Sequence, residues 1–484
     1  MGLGRGHGDY RVTFTVLSAG VAAYALLQSL VVPVLTTVQA QLHTSQATAT
    51  WVLTAYLLSA SIMTPILGRV GDMIGKERIF VVTLVALALG SALAAVAPTI
   101  GVMIVARVIQ GIGGGMLPVA FGIIRDEFPA AKVTGAVGSL ASLTAVGGGL
   151  GIVLAGPIVS VLSFRWLFWL PMIFTILAAI GAVLFVPESP VRSPGRISWL
   201  PAVALSVWLV ALLVALSEAP VWGWGSFRVI GLLVIAVVVC ALWILVELRA
   251  TTPLIDMGMM RLTAVWTNNL VALLIGVGMY ATFAFLPEFV QTPRALAGYG
   301  FTASITQSGL MLLPSAVTMF ATGSFTGRLI ARFGGKTLVV TGCLIGAASM
   351  GMLAFAHSAE WEMYVSNALM GIGFGMAFPA MSALIVGAVP ASQTGVASGM
   401  NANIRTIGGS IGSALMASIV TSRLLPSGLP HESGYTIGFA AMTAGLVLAA
   451  AAGLLIPAAR RAAGPATDSD ALDAAADDAV PATE

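Results

Sequence analysis

Charged residues are scarce in this chain and make up only 8% of its 484 residues. A soluble chain of this length carries roughly a quarter charged residues. Cysteine is scarcer still: Cys240 and Cys343 are the two present, and each falls inside an apolar run. They fit small core residues and not a disulfide or a metal pair. The mean hydropathy of +0.99 predicts a polytopic helical protein that has the bilayer as its solvent.

The residues that most enzyme sites require are also few. The four histidines lie in or next to loops and show no metal-ligand spacing. Gly335-Lys336-Thr337 lacks the leading glycine of a phosphate-binding loop, because Ile330 stands at that position. The basic residues are scattered through short loops, so the net charge of +3 does not indicate nucleic acid. We therefore expect no catalytic residues, no cofactor, no metal and no nucleic-acid partner.

Long apolar stretches are what the chain has in abundance. Fourteen are of membrane length and lie at 13–35, 48–68, 79–97, 100–124, 135–160, 166–186, 199–217, 228–248, 264–287, 304–327, 337–356, 361–388, 395–421 and 435–457. An even count places both termini on one side of the membrane. If that side is the inside, the outer loops hold only Arg165, Arg228, Arg294 and Arg423 of the 22 basic residues. The positive-inside rule then predicts cytoplasmic termini in the cell (inner or plasma) membrane.

An internal repeat relates the two ends of the chain. Glycine-rich patches recur about 260 positions apart, as Gly111–Met116 and Gly371–Met376, Thr134-Gly135 and Thr394-Gly395, and Gly147–Gly151 and Gly408–Gly412. Six helices with their loops need only about 190 residues at the lengths above. The offset therefore leaves room for two further helices between two related halves, with a site between the halves near the midplane.

This repeat predicts the organisation of the chain. We expect a six-helix half over 1–190, a two-helix insert with flanking loops over 191–262, and a second six-helix half over 263–458. Residues 459–484 are rich in alanine and aspartate. Such a segment buries too little apolar surface to fold, which predicts a disordered acidic cytoplasmic tail. We expect the protein to work as a monomer.

The segment between the second and third spans, residues 68–78, packs five charged residues among three glycines. Glycines suit a sharp turn between two helices. The segment resembles the G-x-x-x-D-x-x-G-R/K-R/K loop of the major facilitator superfamily of secondary transporters; a plain basic loop obeying the positive-inside rule is the alternative. The resemblance implies an all-α major facilitator fold and a cytoplasmic gating loop formed by Gly68, Arg69, Asp72, Gly75, Lys76 and Arg78. The fourteen spans resemble the drug:proton antiporter branch.

Two residues are candidates for proton coupling. Arg107 lies within the fourth span, where a charge costs at least about 2.5 kcal/mol and should face a wet cavity or a partner. Its surroundings, Ala106–Gly111, resemble the fourth-helix motif of the superfamily, in which the arginine takes part in proton coupling. A packing arginine bonded to backbone carbonyls is the alternative. Glu288, near the outer end of the ninth span, is either a solvated interfacial carboxylate or a proton carrier at the extracellular mouth.

The fifth span resembles the antiporter motif of the branch. Gly147 and Gly151 lie one turn apart and permit close helix approach, and Gly156-Pro157 permits a kink. Helix packing without any role in antiport is the alternative; it explains the glycines but not the placement of Gly156-Pro157. The family often continues with further glycines, whereas Ile158-Val159-Ser160 follows here.

The first span departs from the branch, which usually has an acidic residue where this chain has Gln28. A glutamine neither releases a proton nor holds a cation by charge. We expect Gln28 to line a substrate cavity together with Tyr56, Gln110, Asn268, Asn269, Asn401 and Arg405. For Arg405 a packing role is the alternative, and the asparagines are equally suited to bind a neighbouring helix.

These features predict a secondary transporter that exports lipophilic drugs or toxic metabolites in exchange for protons by alternating access. Its partners would be small lipophilic substrates, protons and the lipid bilayer. Two rivals stay open. One is a uniporter or importer of a small amphiphile or nutrient, and the other is a non-transporting membrane receptor or assembly protein on the same fold.

Overall fold

A computed structural model describes residues 9–44, 46–188, 199–250, 253–390 and 393–457. Almost all of these residues are helical, and strand pairing among them is limited to an isolated bridge between Leu424 and Pro430. The predicted all-α membrane fold is confirmed. The predicted tail, 459–484, lies outside the described residues, as does most of the linker before the insert.

The long helices follow one another with short connections. They are α1 (Tyr10–Leu30), α2 (Gln46–Ile74), α3 (Lys76–Val96), α4 (Ile100–Glu127, with a 3-10 turn at Ile112–Gly115), α5 (Ala130–Val161), α6 (Trp166–Phe185), α7 (Trp199–Trp222), α8 (Phe227–Arg249), α9 (Thr263–Gln291), α10 (Ile305–Phe333), α11 (Gly335–Phe355), α12 (Glu360–Ala388), α13 (Thr394–Val420) and α14 (Glu432–Gly453). Short helices cover Leu35–Gln41, Met257–Met260 and Arg294–Ala297.

Thirteen helices of the described segments are long and apolar enough to cross a membrane. The long helix outside that set is α13, which matches the predicted span 395–421 but carries Asn401, Asn403 and Arg405. These polar side chains lower its apolar character. The chain is therefore a multi-pass membrane protein, while a count of fourteen membrane crossings stays a prediction.

The turn between α2 and α3 is much shorter than the eleven-residue loop expected from the sequence. α2 continues to Ile74 and α3 begins at Lys76, so Gly75 alone separates them, with a φ of +134°. The expected loop was wrong because α2, at 29 residues, extends about 43 Å and outruns a hydrocarbon core of about 30 Å. Gly68 and Asp72 are consequently helical. We call this end of the bundle the Gly75 end and the opposite end the Arg165 end.

The repeated glycines make equivalent contacts at both occurrences. Gly111 and Gly115 let α4 approach α2 closely, and their equivalents Gly371 and Gly375 let α12 approach α10. Gly147 and Gly151 bring α5 onto α1, and Gly408 and Gly412 bring α13 onto α9. A methyl group at Gly408 would lie 2.0 Å from the carbonyl oxygen of Leu273, so the helices pack at backbone distance. The exact division into halves at 190 and 263 stays a prediction.

Two seams join the helices of the N-terminal repeat to those of the C-terminal one. At the first seam α2 meets α13 near the Gly75 end, where Gly68 lies against Gly395. At the second seam α5 and α10 touch along their length, from Gly135 beside Gly327 to Gly156 beside Thr306. The second seam is thus in contact at both ends of the bundle.

The inserted pair lies over the first seam. Apolar residues of α7 share a buried cluster with residues of α13 and pack on Leu58 and Ile66 of α2. Thr54 and Ser217 hydrogen bond between α2 and α7 at 3.2 Å. α8 packs on α7 and presents most of its remaining surface outward. The insert therefore covers the α2–α13 seam.

Candidate functional site

The best-defined polar cluster lies at the Gly75 end. Lys76, the first residue of α3, is 1% exposed, and its Nζ donates to Asp126 Oδ2 of α4 over 2.6 Å. The same Nζ lies 3.6 Å from Asp72 Oδ1 of α2. Gly122 makes room for the lysine stem, because a methyl group there would lie 2.7 Å from its Cδ. The buried ammonium group of Lys76 thus interacts with two carboxylates, those of Asp126 and Asp72.

Asp72 also lies against the start of α13. It is 1% exposed, and a methyl group at Gly395 would lie 3.1 Å from its Oδ2 and 2.9 Å from the carbonyl oxygen of Gly68. The first turn of a helix carries a partial positive charge that stabilises a nearby anion. Asp72 therefore holds the N-terminus of α13 electrostatically, and only a glycine at 395 allows the approach.

Arg125 makes a direct link across the same seam. Its guanidinium at the end of α4 donates to the carbonyl oxygen of Val386 on α12 and, over 2.8 Å, to Thr394 Oγ1 on α13. Thr394 is fully buried. We refer to Asp72, Lys76, Arg125, Asp126 and Thr394 as the charged cluster. It closes the space between the two repeats at the Gly75 end.

The other motif residues support the turn itself. Arg78 Nε lies 3.0 Å from Glu188 Oε1, in a pair with a 57% exposed arginine. A side chain at Gly75 would meet the same carboxylate at 2.7 Å, so this position needs glycine for space as well as for its positive φ. Arg69 is half-buried and interacts electrostatically with Asp72 and with Glu247 of α8.

Arg107 is fully buried in α4 about two turns from its start. Its Nε donates to the carbonyl oxygen of Val52 on α2 over 3.0 Å, and Nη1 donates to Gln110 Oε1 over 2.7 Å. The guanidinium lies 4.4 Å over the ring of Tyr56. Its Nη2 finds no partner among the described residues. The arginine is thus held by a carbonyl, an amide and an aromatic face, with one donor to spare.

Gln110 completes this network, and it does not line the cavity between α4, α12 and α13 that is described below. It is fully buried, and its Nε2 donates to Ser91 Oγ of α3 over 3.0 Å. Tyr56 continues the network to α1, since its ring centre lies 6.4 Å from that of Tyr24. Gln28 is half-buried one turn beyond Tyr24 on the same helix.

A small cavity lies between α4 of the first repeat and α12 and α13 of the second, about one helical turn from the charged cluster; we call it the central cavity because it lies between the repeats. Its volume is about 10 Å³, room for roughly one water molecule, so this cavity is too small for a drug-sized ligand. Its lining comprises Leu117, Pro118, Phe121, Ser382, Ile385, Ser398, Asn401, Ala402 and Arg405. Of the expected cavity residues, the structure brings Asn401 and Arg405 to this cavity.

The three asparagines bind one another across two helices. Asn401 Nδ2 of α13 donates to Asn269 Oδ1 over 2.9 Å and, more weakly, to the carbonyl oxygen of Asn268 at 3.4 Å. Asn268 in turn donates to the carbonyl oxygen of Ala264 within α9. All three are buried. They join α9 to α13 in this conformation.

The glycines of the α5 motif face two neighbours at once. A methyl group at Gly147 would lie 2.6 Å from Ala25 Cβ of α1, and one at Gly151 would lie 2.0 Å from Ser29 Oγ. Gly156 faces Thr306 of α10 instead. Pro157 lies inside α5, which continues to Val161.

Glu288 is remote from the network formed by Arg107, Gln110 and Tyr56. It lies in the last turn of α9, with an exposed side chain. Its electrostatic neighbours are Tyr299 and Tyr435. The structure does not bring Glu288 together with Arg107.

The sequence reasoning missed three members of the charged cluster. Thr394 entered the sequence analysis only as part of the internal repeat, and Arg125 and Asp126 were not among the candidate site residues, although all three complete the cluster. A signal existed for one of them: Thr394-Gly395 repeats Thr134-Gly135, and both glycines lie at seams.

Comparisons with known proteins agree with this geometry. The family model described as Major Facilitator Superfamily matches residues 17–413. A tetracenomycin C resistance and export protein from Streptomyces glaucescens is 28% identical over 417 residues, covering 85% of this chain and 76% of that protein. A multidrug resistance protein B homolog from Mycobacterium tuberculosis is 30% identical over 396 residues, covering 79% and 71%.

The solved structures add a match of fold. The crystal structure of the human organic anion transporter MFSD10 (TETRAN) superposes with a TM-score of 0.67 at 16% identity, covering 92% of this chain and 99% of that one. The chain belongs to the Major Facilitator Superfamily, a family of transporters and not of enzymes.

Proposed function

We propose that this protein exports small lipophilic compounds across the cell membrane in exchange for protons, with the Gly75 end at the cytoplasmic side. The observation that carries the proposal is the charged cluster. It ties α4 to α12 and α13 through Arg125, and α2 to α13 through Asp72. A set of contacts confined to one end of the seam suits a gate that opens and closes.

The mechanism follows from which contacts have to break. Opening the Gly75 end separates Asp72 from the start of α13 and Arg125 from Thr394, while the α5–α10 seam stays in contact. Each broken contact exposes a charge that was buried, so the closed state is favoured until substrate or proton binding offsets the cost. Alternating access then exposes the central cavity to one side at a time.

Proton coupling is assigned to Arg107 and Glu288. Arg107 has an unpartnered Nη2 within a buried network, which supports a role in which the guanidinium changes partners when a charge nearby changes. Glu288, exposed near the Arg165 end, is placed to take up a proton from outside. One proton moving through 100 mV supplies about 2.3 kcal/mol.

The names of the relatives support export as the direction of transport. The Streptomyces glaucescens relative is a resistance and export protein for tetracenomycin C, and a Bacillus subtilis relative, 27% identical, is a multidrug transporter. We extend export of lipophilic compounds to this chain on that basis. Gln28 in place of an acidic residue leads us to expect neutral or weakly charged lipophilic compounds in preference to quaternary ammonium cations.

The test is transport in inside-out vesicles loaded with a pH-sensitive dye and acidified inside by respiration. Addition of a transported drug should release protons from the vesicle lumen and recover the dye signal. Drug uptake without proton release would contradict proton antiport and indicate a uniporter. The drug panel consists of compounds that cells lacking the gene fail to resist. If none of these compounds crosses the vesicle membrane in either direction, the receptor or assembly alternative is favoured.

A further inference from the structure

We propose that Arg405 and Ser398 form an anion subsite in the central cavity, and that the exported compounds include aromatic carboxylates. This inference rests on the proposed export function for its transport consequence, but the subsite itself is a binding property that can be measured alone.

The guanidinium of Arg405 lies in the middle of α13 and lines the central cavity. It is half-buried and stacks 4.9 Å over the ring of Phe378 on α12. Within the described segments it makes no hydrogen bond and no ion pair. A guanidinium has five donors and is always charged, so this side chain has its polar edge available.

A comparison with two other arginines inside the bundle shows that this is unusual. Arg107 donates to Val52 and Gln110, and Arg125 donates to Val386 and Thr394. Each of those guanidiniums is held by oxygens of the protein. Arg405 lacks such an oxygen in the described part of the chain, although a charge within a membrane helix is costly without a partner.

A second polar group faces the same cavity. Ser398 lies seven residues before Arg405, two turns along the same face of α13. It is 8% exposed, and its hydroxyl has no hydrogen-bond partner among the described residues. A buried hydroxyl that is left unpaired costs free energy. Each of the two groups lacks a protein partner that a ligand with acceptor oxygens would supply.

The chemistry of the lining selects the ligand. Carboxylate is the planar acceptor that matches the fork of a guanidinium. Leu117 and Phe121 of α4 and Ile385 of α12 line the same cavity, so an aromatic ring attached to the carboxylate has apolar partners there. No acidic residue is among the nine that line the cavity, so a cation would find no counter-charge there.

The volume of the cavity indicates the conformation in which an aromatic acid would bind. At about 10 Å³ it does not admit an aromatic acid in the closed conformation described. Arg405 and Ser398 belong to α13 and Phe121 belongs to α4, so separation of the two repeats widens the space between them. The anion therefore enters when the gate opens, and the two polar groups are already in place on one helix.

The experiment uses the purified full-length protein in detergent with 2-naphthoate and 2-naphthamide. The two probes share a ring system and differ in charge. We expect 2-naphthoate to raise the thermal unfolding midpoint in a saturable manner and 2-naphthamide to do so only at far higher concentration. Arg405→Gln should weaken naphthoate binding about tenfold or more with little effect on the amide. Ser398→Ala should give a smaller loss.

Two variants control for folding. Arg405→Lys keeps the charge and should retain part of the naphthoate preference, while Arg423→Gln removes an exposed loop arginine and should behave as wild type. Equal binding of both probes by the wild type, or unchanged naphthoate binding by Arg405→Gln, would overturn the subsite. Loss of naphthoate binding in Arg423→Gln as well would reduce it to a general charge effect and overturn it too.

Transport in vesicles separates this inference from the export proposal. Export of a neutral drug without any naphthoate binding would refute the subsite and leave the export proposal intact. Naphthoate binding without flux of either compound removes the export proposal and leaves the subsite standing. Selective loss of naphthoate export in Arg405→Gln, with neutral export retained, supports both.

Discussion

Replacing Lys76 with methionine should be the most damaging single change in the charged cluster. The ammonium lies 2.6 Å from Asp126 Oδ2 and 3.6 Å from Asp72 Oδ1. Methionine fills most of the same space but removes the cation that lies between the two carboxylates. The cluster would then hold two carboxylates against one remaining cation, Arg125.

The expected magnitude follows from counting charges. Removing one partner of a buried ion pair costs about 3–5 kcal/mol, and Lys76→Met removes the partner of two carboxylates. Asp72→Asn leaves a balanced pair of Lys76 and Asp126 and loses the interaction with the start of α13, about 1 kcal/mol. We therefore expect Lys76→Met to be the less stable variant by at least about 2 kcal/mol. The double variant Lys76→Met with Asp126→Asn should recover part of the loss.

The assay compares thermal unfolding of the purified variants, their abundance in the membrane, and efflux of a fluorescent drug from cells. Asp72→Asn should keep near wild-type abundance and lose efflux, because it weakens the gate and not the fold. Lys76→Met should lose abundance, unfolding temperature and efflux together. If Lys76→Met were as stable as Asp72→Asn, or if the double variant were no better than the single one, the charge-counting argument would be refuted.

Three further outcomes are expected. Arg107→Lys loses the fork that serves Val52 and Gln110, and Arg107→Ala loses the charge too, so both should lower drug-driven proton release in vesicles; normal exchange by an alanine variant of wild-type abundance would make Arg107 a packing residue. Gly147→Ala should destabilise the protein by about 1–3 kcal/mol, because the new methyl group meets Ala25 at 2.6 Å. Gly148→Ala, where the new methyl group meets nothing within 4 Å, should stabilise it by up to about 1 kcal/mol. Equal unfolding temperatures of the two variants would contradict this prediction. Gln28→Asp should shift a resistance panel from neutral drugs toward cationic dyes, and strong wild-type export of a divalent cationic dye would count against it and direct attention to a Glu288→Gln variant.

The sequence was sufficient for the fold and for the residues that a local motif names. Apolar runs of membrane length predicted the helices, and the spacing of Gly68, Asp72 and Gly75 located the charged segment around the turn between α2 and α3. The length of that segment was misjudged, because apolar runs end where the bilayer ends while the hydrogen-bonded helix continues beyond it. Arg69 and Asp72 were therefore expected in a loop and lie on a helix.

The partners of the motif could not be predicted in the same way. Asp126 lies 50 positions from Lys76, and Thr394 lies 269 positions from Arg125. Local periodicity carries no information about which distant helix ends meet. The same holds for the asparagines, where hydrogen bonding to a ligand or to a neighbouring helix could not be separated until Asn401 was placed beside Asn269.

The position of α7 has a consequence for how lipid-soluble compounds reach the protein. A lipophilic drug partitions into the acyl chains and approaches a transporter sideways, from a leaflet, as well as from water. At the first seam it meets the hairpin of α7 and α8 before it meets α2 or α13, since Thr54 and Ser217 hold α7 against α2 and Trp224 Nε1, just beyond α7, donates to Ser418 Oγ of α13 over 2.7 Å. At the second seam α5 and α10 approach each other closely at glycines, from Gly135 beside Gly327 to Gly156 beside Thr306. If the protein exports lipophilic compounds as proposed, we expect the insert to block their entry from the lipid between α2 and α13.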